Sequence, residues 1–242
     1  DVGLYGNFDA LRISDPPLSS DVIFVLDVSG SMEGSRISEL KIAAEKAIDV
    51  LPANLPVAIV SFESQASQLT DGFITDKNVL KEIIRGLVAG GGTDYGNALN
   101  SALDMVQRFS QAEKHIEIFI SDGEPERSPP DSQILESAEE NIVIYTIGFQ
   151  LTNPTELQRL SSLTGGEFYD APTGTELTKA FRTILEGRVF SVNYLFDDGG
   201  LTAEDFQHQL NWDYALTGVV FDATQYYESD LDDGDGDGLP DW

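Results

Sequence analysis

The sequence predicts an α/β fold, a mostly parallel sheet with helices on both faces, on three observations. Four runs of strand length, DVIFVLDV (21–28), VAIVSF from Val57, HIEIFIS from His115 and NIVIYTIGF from Asn141, are nearly continuous in apolar residues and rich in β-branched ones. Such runs suit strands buried on both faces, the condition of a parallel sheet between two helical layers. Helical patterns lie between the runs, and strands alternating with helices imply βαβ crossovers.

In chain order, residues 1–20 (DVGLYGNFDALRISDPPLSS) alternate polar and apolar positions among turn signals and read as a β-rich flank. The first buried strand follows. SRISELKIAAEKAIDVL then places Ile37, Leu40, Ala44, Ile48 and Leu51 on one apolar stripe, which predicts an amphipathic helix. After VAIVSF, the segment DYGNALNSALDMVQRF repeats that pattern with Ala98, Leu99, Ala102, Leu103 and Val106. Beyond Phe149, NPTELQRLSSL reads as a helix, GGEFYDA as a short strand and TGTELTKAFRTIL as a last amphipathic helix. These elements define a domain over 21–187. Residues 188–227 alternate again and read as a β-rich extension, within which Thr202 and Asp205 suggest a cap for one short helix over LTAEDFQHQL. The two flanks are expected to pack together as a small side layer. Residues 228–242 form an acidic tail.

Forty-two acidic residues against fourteen basic ones give a formal charge of −28. That field repels nucleic-acid phosphates and anionic lipid surfaces and concentrates cations; its plainer consequence is solubility. With no cysteine, disulfides, thiol nucleophiles and cysteine-ligated zinc are excluded. No apolar run approaches the ~20 residues of a membrane span, so direct membrane insertion is not expected, and no signal peptide is present. The chain begins with Asp1 and stops inside a repeat-like tail, and it is expected to be a piece of a longer polypeptide.

The chemistry gathers at the predicted carboxyl ends of the strands, where open parallel sheets bind ligands. DVSGSM brings Asp27, Ser29 and Ser31, with Gly30 allowing the chain to turn off the strand. AGGGTDYGNAL brings Thr93 before a helix, and ISDGEP brings Asp122 at the end of the third apolar run. Two carboxylates and three hydroxyls are hard oxygen donors that suit Mg²⁺, Mn²⁺ or Ca²⁺ better than zinc or copper. Their low charge leaves room for waters and for a carboxylate from outside.

The set Asp27-x-Ser29-x-Ser31, Thr93 in GGTD and Asp122 in SDGEP resembles the complete metal-ion-dependent adhesion site (MIDAS) of the von Willebrand factor type A family, over about residues 20–187. The resemblance implies a Rossmann-like, doubly wound fold. It also implies Mg²⁺, or Mn²⁺ or Ca²⁺, contacted directly by Ser29, Ser31 and Thr93, with Asp27 and Asp122 acting largely through bound waters or becoming direct ligands as the site changes state. It further implies a protein or other extracellular partner that supplies an acidic group to the metal. Tyr95, Glu124 and Arg127 are the candidate rim residues that select the partner.

The tail DGDGDGLPD matches the start of an EF-hand-like loop, with Asp233, Asp235, Asp237 and Asp241 as candidate Ca²⁺ ligands and Gly238 at the sharp turn. It resembles the thrombospondin type 3 repeats of long secreted bacterial proteins. Its twelfth position would lie beyond Trp242, and the alternative is a disordered acidic linker.

Enzymatic readings have less support. A serine nucleophile needs a base within reach, yet at about 3.3 Å per residue His115 falls roughly 20 Å from the serine edge, and neither a G-x-S-x-G elbow nor a phosphate-binding glycine motif is present. No catalytic residue or organic cofactor is assigned. The expected function is a secreted or cell-surface adhesion module of bacterial type that engages its ligand through the cation. The alternatives are a structural spacer whose metal sites only rigidify it and a metal-dependent hydrolase with Glu124 as base.

Overall fold

The computed structural model describes residues 20–188, together with the backbone of two strands at 208–216 and 219–227. Two compact units divide near Asn193. The first contains a six-stranded sheet in the order β3-β2-β1-β4-β5-β6. Its strands are β1 (Ser20–Asp27), β2 (Val57–Phe62), β3 (Ala66–Gln68), β4 (Lys114–Ser121), β5 (Ile142–Phe149) and β6 (Phe168–Ala171). Every pairing is parallel except β2 with β3. Helices α1 (Ser35–Val50), α2 (Lys77–Arg85), α3 (Tyr95–Phe109), α4 (Asp131–Glu139), α5 (Thr155–Thr164) and α6 (Gly174–Arg188) cover both faces.

Alternate residues of β1 feed two separate cores. Val22, Phe24 and Leu26 pack with Leu40, Ala44 and Ile48 of α1 and with Phe181, Ile184 and Leu185 of α6. The Phe24 and Phe181 rings lie 5.3 Å apart. Ile23 and Val25 face the other way, into Ala98, Leu99, Ala102 and Met105 of α3, Ile134 of α4 and Leu157 and Leu160 of α5. Burial on both faces is why these strands read as unbroken apolar runs. Among the described residues no helix is long and apolar enough to cross a membrane.

The topology fixes where a ligand belongs. From β1 the chain builds outward to β2 on one side, then crosses back to place β4 on the other. The strand order therefore reverses between β1 and β4, and the crevice beyond their carboxyl ends is the switch point of the sheet.

Three elements go beyond the sequence reading. Helix α2 buries only Leu80 and Ile84 and is started by Asp76, whose carboxylate accepts from the Asn78 and Val79 amides at 2.9 and 3.3 Å. Helix α4 buries only Ile134 and Ser137. Strand β3 is three residues of a polar edge.

In the second unit, β7 (His208–Leu216) pairs antiparallel with β8 (Val219–Tyr227). The short helix expected over LTAEDFQHQL is corrected here, because its last three residues lie in β7. Leu210, Trp212, Tyr214 and Leu216 recur every second position, the strand period, and their backbone is committed to the ladder with β8. The rest of that segment, the N-terminal flank with its expected side layer, and the tail ligands Asp233, Asp235, Asp237 and Asp241 lie outside the described residues.

Candidate metal centre

Strand β1 delivers Asp27 fully buried at the switch point. A buried carboxylate needs donors. Asp27 Oδ1 accepts the Ser29 amide at 2.7 Å and Oδ2 accepts the Ser121 hydroxyl at 2.5 Å, so one side chain ties the loop after β1 to the end of β4. Burial pushes its carboxyl up to about 6, against these hydrogen bonds and with a smaller contribution from the Asp122 charge.

The chain then makes a single 3₁₀ turn, Gly30–Met32, pinned by the fully buried Met32. This turn aligns the hydroxyls. Ser31 Oγ donates to Asp122 Oδ1 at 2.6 Å, and Ser29 Oγ lies 2.9 Å from Ser31 Oγ. Since a hydroxyl carries one proton, Ser29 must donate to Ser31, giving a directed chain Ser29→Ser31→Asp122.

Thr93 comes from the loop before α3, which is laced through backbone to the loop after β1 and to the loop after β4. The Gly90 amide donates to Val28 O at 2.8 Å, the Gly30 amide to Gly91 O at 3.0 Å, and the Glu126 amide to Thr93 O at 2.9 Å. Gly91 is required by its backbone, at φ +83°, and by a Cβ that would run into the Glu63 side chain. Thr93 is buried, and the next residue, Asp94, caps α3 by accepting the Asn97 amide at 2.9 Å.

Of the five predicted donors, Asp27, Ser29, Ser31 and Asp122 are joined directly or through Ser121 and the loop backbone, and Thr93 lies on a loop bonded to the same turn. Among the described residues no group of three His, Cys, Asp or Glu side chains suited to a metal occurs, at this edge or anywhere else, so any ion held here would depend on hydroxyl donors beside the two carboxylates. Two carboxylates and neighbouring hydroxyls at one strand edge match a hard divalent cation in donor chemistry.

Glu124 and Arg127 are exposed on the loop after β4, and Glu124 accepts from Asn153 Nδ2 at 2.6 Å. Tyr95 is a correction: it is not at the rim but fully buried. It opens the apolar stripe of α3, with its ring centroid 5.9 Å from that of Phe62 and 4.9 Å from that of Phe119. Its hydroxyl donates to Gly123 O at 2.6 Å, and burial raises its pKa. Tyr95 therefore supports the Asp122 loop from beneath.

Sequence reasoning missed Arg36, Ser121 and Gln150. Arg36, in the first turn of α1, donates from Nη1 to Asp122 Oδ2 at 2.8 Å and to Ser31 O at 3.0 Å, and from Nε to Gln150 Oε1 at 3.0 Å. Only its position one turn beyond DVSGSM signals it, and the same position suits a solvated helix face. His115 pairs with Asp21 at 2.7 Å, buried among the opening residues of β1 and β4, away from the serines.

Residues 21–183 match the von Willebrand factor type A domain, and the chain belongs to that family. It is 26% identical over 216 residues to inter alpha-trypsin inhibitor heavy chain 4 of Mus musculus, covering 80% of this chain and 23% of that protein. It is 34% identical over 172 residues to calcium-activated chloride channel regulator 1 of Bos taurus, covering 67% and 19%. The chain thus spans less than a quarter of either relative. Among solved structures it is similar to proximal thread matrix protein 1 from the mussel byssus, solved with a zinc-occupied MIDAS motif (TM-score 0.61, 21% identity, 72% of this chain and 46% of that one).

Proposed function

We propose that residues 21–187 form a secreted or cell-surface adhesion module that engages an acidic group of a protein or other extracellular ligand through a divalent cation, Mg²⁺, Mn²⁺ or Ca²⁺, at the carboxyl edge of its sheet. The observation that carries this reading is the hydrogen-bonded chain Ser29→Ser31→Asp122 at the switch point, next to buried Asp27 and the Thr93 loop. Ser29, Ser31 and Thr93 would hold the ion directly, with Asp27 and Asp122 supplying charge through its waters. The bound ion would offer a Lewis-acidic position to an outside carboxylate.

The protein's own residues prepare that position. Asp27 and Ser121 fix the serine turn against β4, Gly91 lets the Thr93 loop close over it, and Tyr95 props the Asp122 loop. Exposed Glu124 and Arg127 border the edge and select the partner. On this reading the module binds and does not catalyse, and Glu124, which accepts from Asn153, is an exposed rim carboxylate. On the same reading the acidic tail 228–242 offers a weaker Ca²⁺ loop of thrombospondin type 3 kind, and the module is of bacterial type.

Capture on immobilised acidic peptides tests this function. Retention is expected with Mg²⁺ or Mn²⁺ and loss with chelator or in Asp122→Ala, with circular dichroism unchanged. Retention indifferent to chelator, or collapse of the Asp122→Ala fold, would favour the spacer reading; turnover of an ester or phosphoester lost in Glu124→Ala would favour a hydrolase.

A further inference from the structure

Arg36 sits where helix stability gives no reason for it. It is the second residue of α1, and a cation in the first turn opposes the helix dipole. Its guanidinium is nevertheless held at three points, by Asp122 Oδ2, by Ser31 O and by Gln150 Oε1. Gln150 itself occupies a left-handed backbone conformation, φ +53°, at the end of β5. The Arg36 side chain is about one-third exposed, while that of Asp122 is fully buried. Asp122 therefore divides its two oxygens between a hydroxyl of the candidate centre and a permanent positive charge.

That division changes the charge of the centre. Two ionised carboxylates, Asp27 and Asp122, offset a divalent ion; counting these and Arg36 alone, the ion and the groups that hold it keep one net positive charge. One carboxylate from a partner would restore neutrality. We infer that Arg36 sets the electrophilicity of the centre, weakening its hold on the cation alone and coupling cation binding to binding of an acidic partner. This rests on the cation-dependent reading of the site given above. A guanidinium is suited to the role, since it stays charged at any physiological pH and its planar fork can hold a carboxylate and a carbonyl together.

The test is calorimetric titration of Mn²⁺ into the full chain, with and without acetate as the carboxylate probe, for wild type, Arg36→Gln and Arg36→Lys. Arg36→Gln, which keeps hydrogen-bonding capacity without charge, is expected to bind Mn²⁺ alone on the order of 10-fold more tightly than wild type and to gain less from acetate. Arg36→Lys, which keeps the charge but not the planar fork, is expected to stay closer to wild type than Arg36→Gln does, and wild-type affinity is expected to rise with acetate. Affinity in Arg36→Gln equal to or below wild type would make Arg36 a mechanical clamp and overturn the inference. So would wild-type affinity indifferent to acetate, a result that needs no variant to fold. Absence of Mn²⁺ binding in all three proteins would refute the cation reading itself, and this inference with it.

Discussion

Glu117 offers a sharp test of how the sheet is built. It lies in the middle of β4, between Ile23 of β1 and Ile144 of β5, with no solvent exposure. Neither carboxylate oxygen has a hydrogen-bond partner among the described residues. Burial alone pushes its pKa from 4.5 to about 8. Between those values the folded chain keeps the proton and the unfolded chain has released it, so this group makes stability fall as pH rises from 4.5 to 8 and level off above. At about 1.4 kcal/mol for each pH step, the loss is on the order of 5 kcal/mol. Other carboxylates titrate as well, so the readout is the difference between wild type and Glu117→Gln in urea unfolding from pH 4.5 to 9. The variant, neutral throughout, should gain on wild type steadily with pH and exceed it by several kcal/mol at pH 9. A difference independent of pH, or a variant less stable at pH 9, would show that the ionised carboxylate is compensated and would refute the reasoning.

Three further outcomes follow from the centre. Paired Ser29→Ala and Ser31→Ala changes should abolish Mn²⁺ binding in calorimetry while leaving the circular dichroism of the fold intact, since both hydroxyls face the centre and not the cores. Gly91→Ala should cost about 1–3 kcal/mol in urea unfolding, because alanine is strained at φ +83° and its Cβ meets the Glu63 side chain. Tyr95→Phe should cost about 1 kcal/mol through the lost hydrogen bond to Gly123 and leave partner preference unchanged, as binding assays against acidic peptides would register.

What the sequence revealed follows from where its residues ended up. Strands β1, β2, β4 and β5 were legible because both faces are buried, which leaves few polar interruptions. Strand β3 was not, being a short polar antiparallel edge. Helix α2 was readable and went unread, since Leu80, Ile83 and Ile84 share one apolar face and Asp76 caps its start, whereas α4 buries only Ile134 and Ser137 and shows no comparable stripe. At the centre, the spacing of Asp27, Ser29 and Ser31 was visible because one loop carries all three. Arg36, Ser121 and Gln150 join it only through tertiary contacts. Tyr95 was placed at the rim by its closeness to Thr93, whereas its helical spacing to Ala98, Leu99 and Ala102 already put it on the buried stripe. In the second unit, the period-two pattern from His208 outweighed the cap signal that suggested a helix.

The most direct test of the central claim is an anomalous difference map from crystals of the full chain soaked in Mn²⁺. The account predicts a peak at the carboxyl edge of β1 and β4, roughly 2–2.5 Å from the hydroxyls of Ser29, Ser31 and Thr93, which disappears in Asp122→Ala. A well-ordered edge without such a peak, or a peak only at Asp233, Asp235 and Asp237, would contradict it.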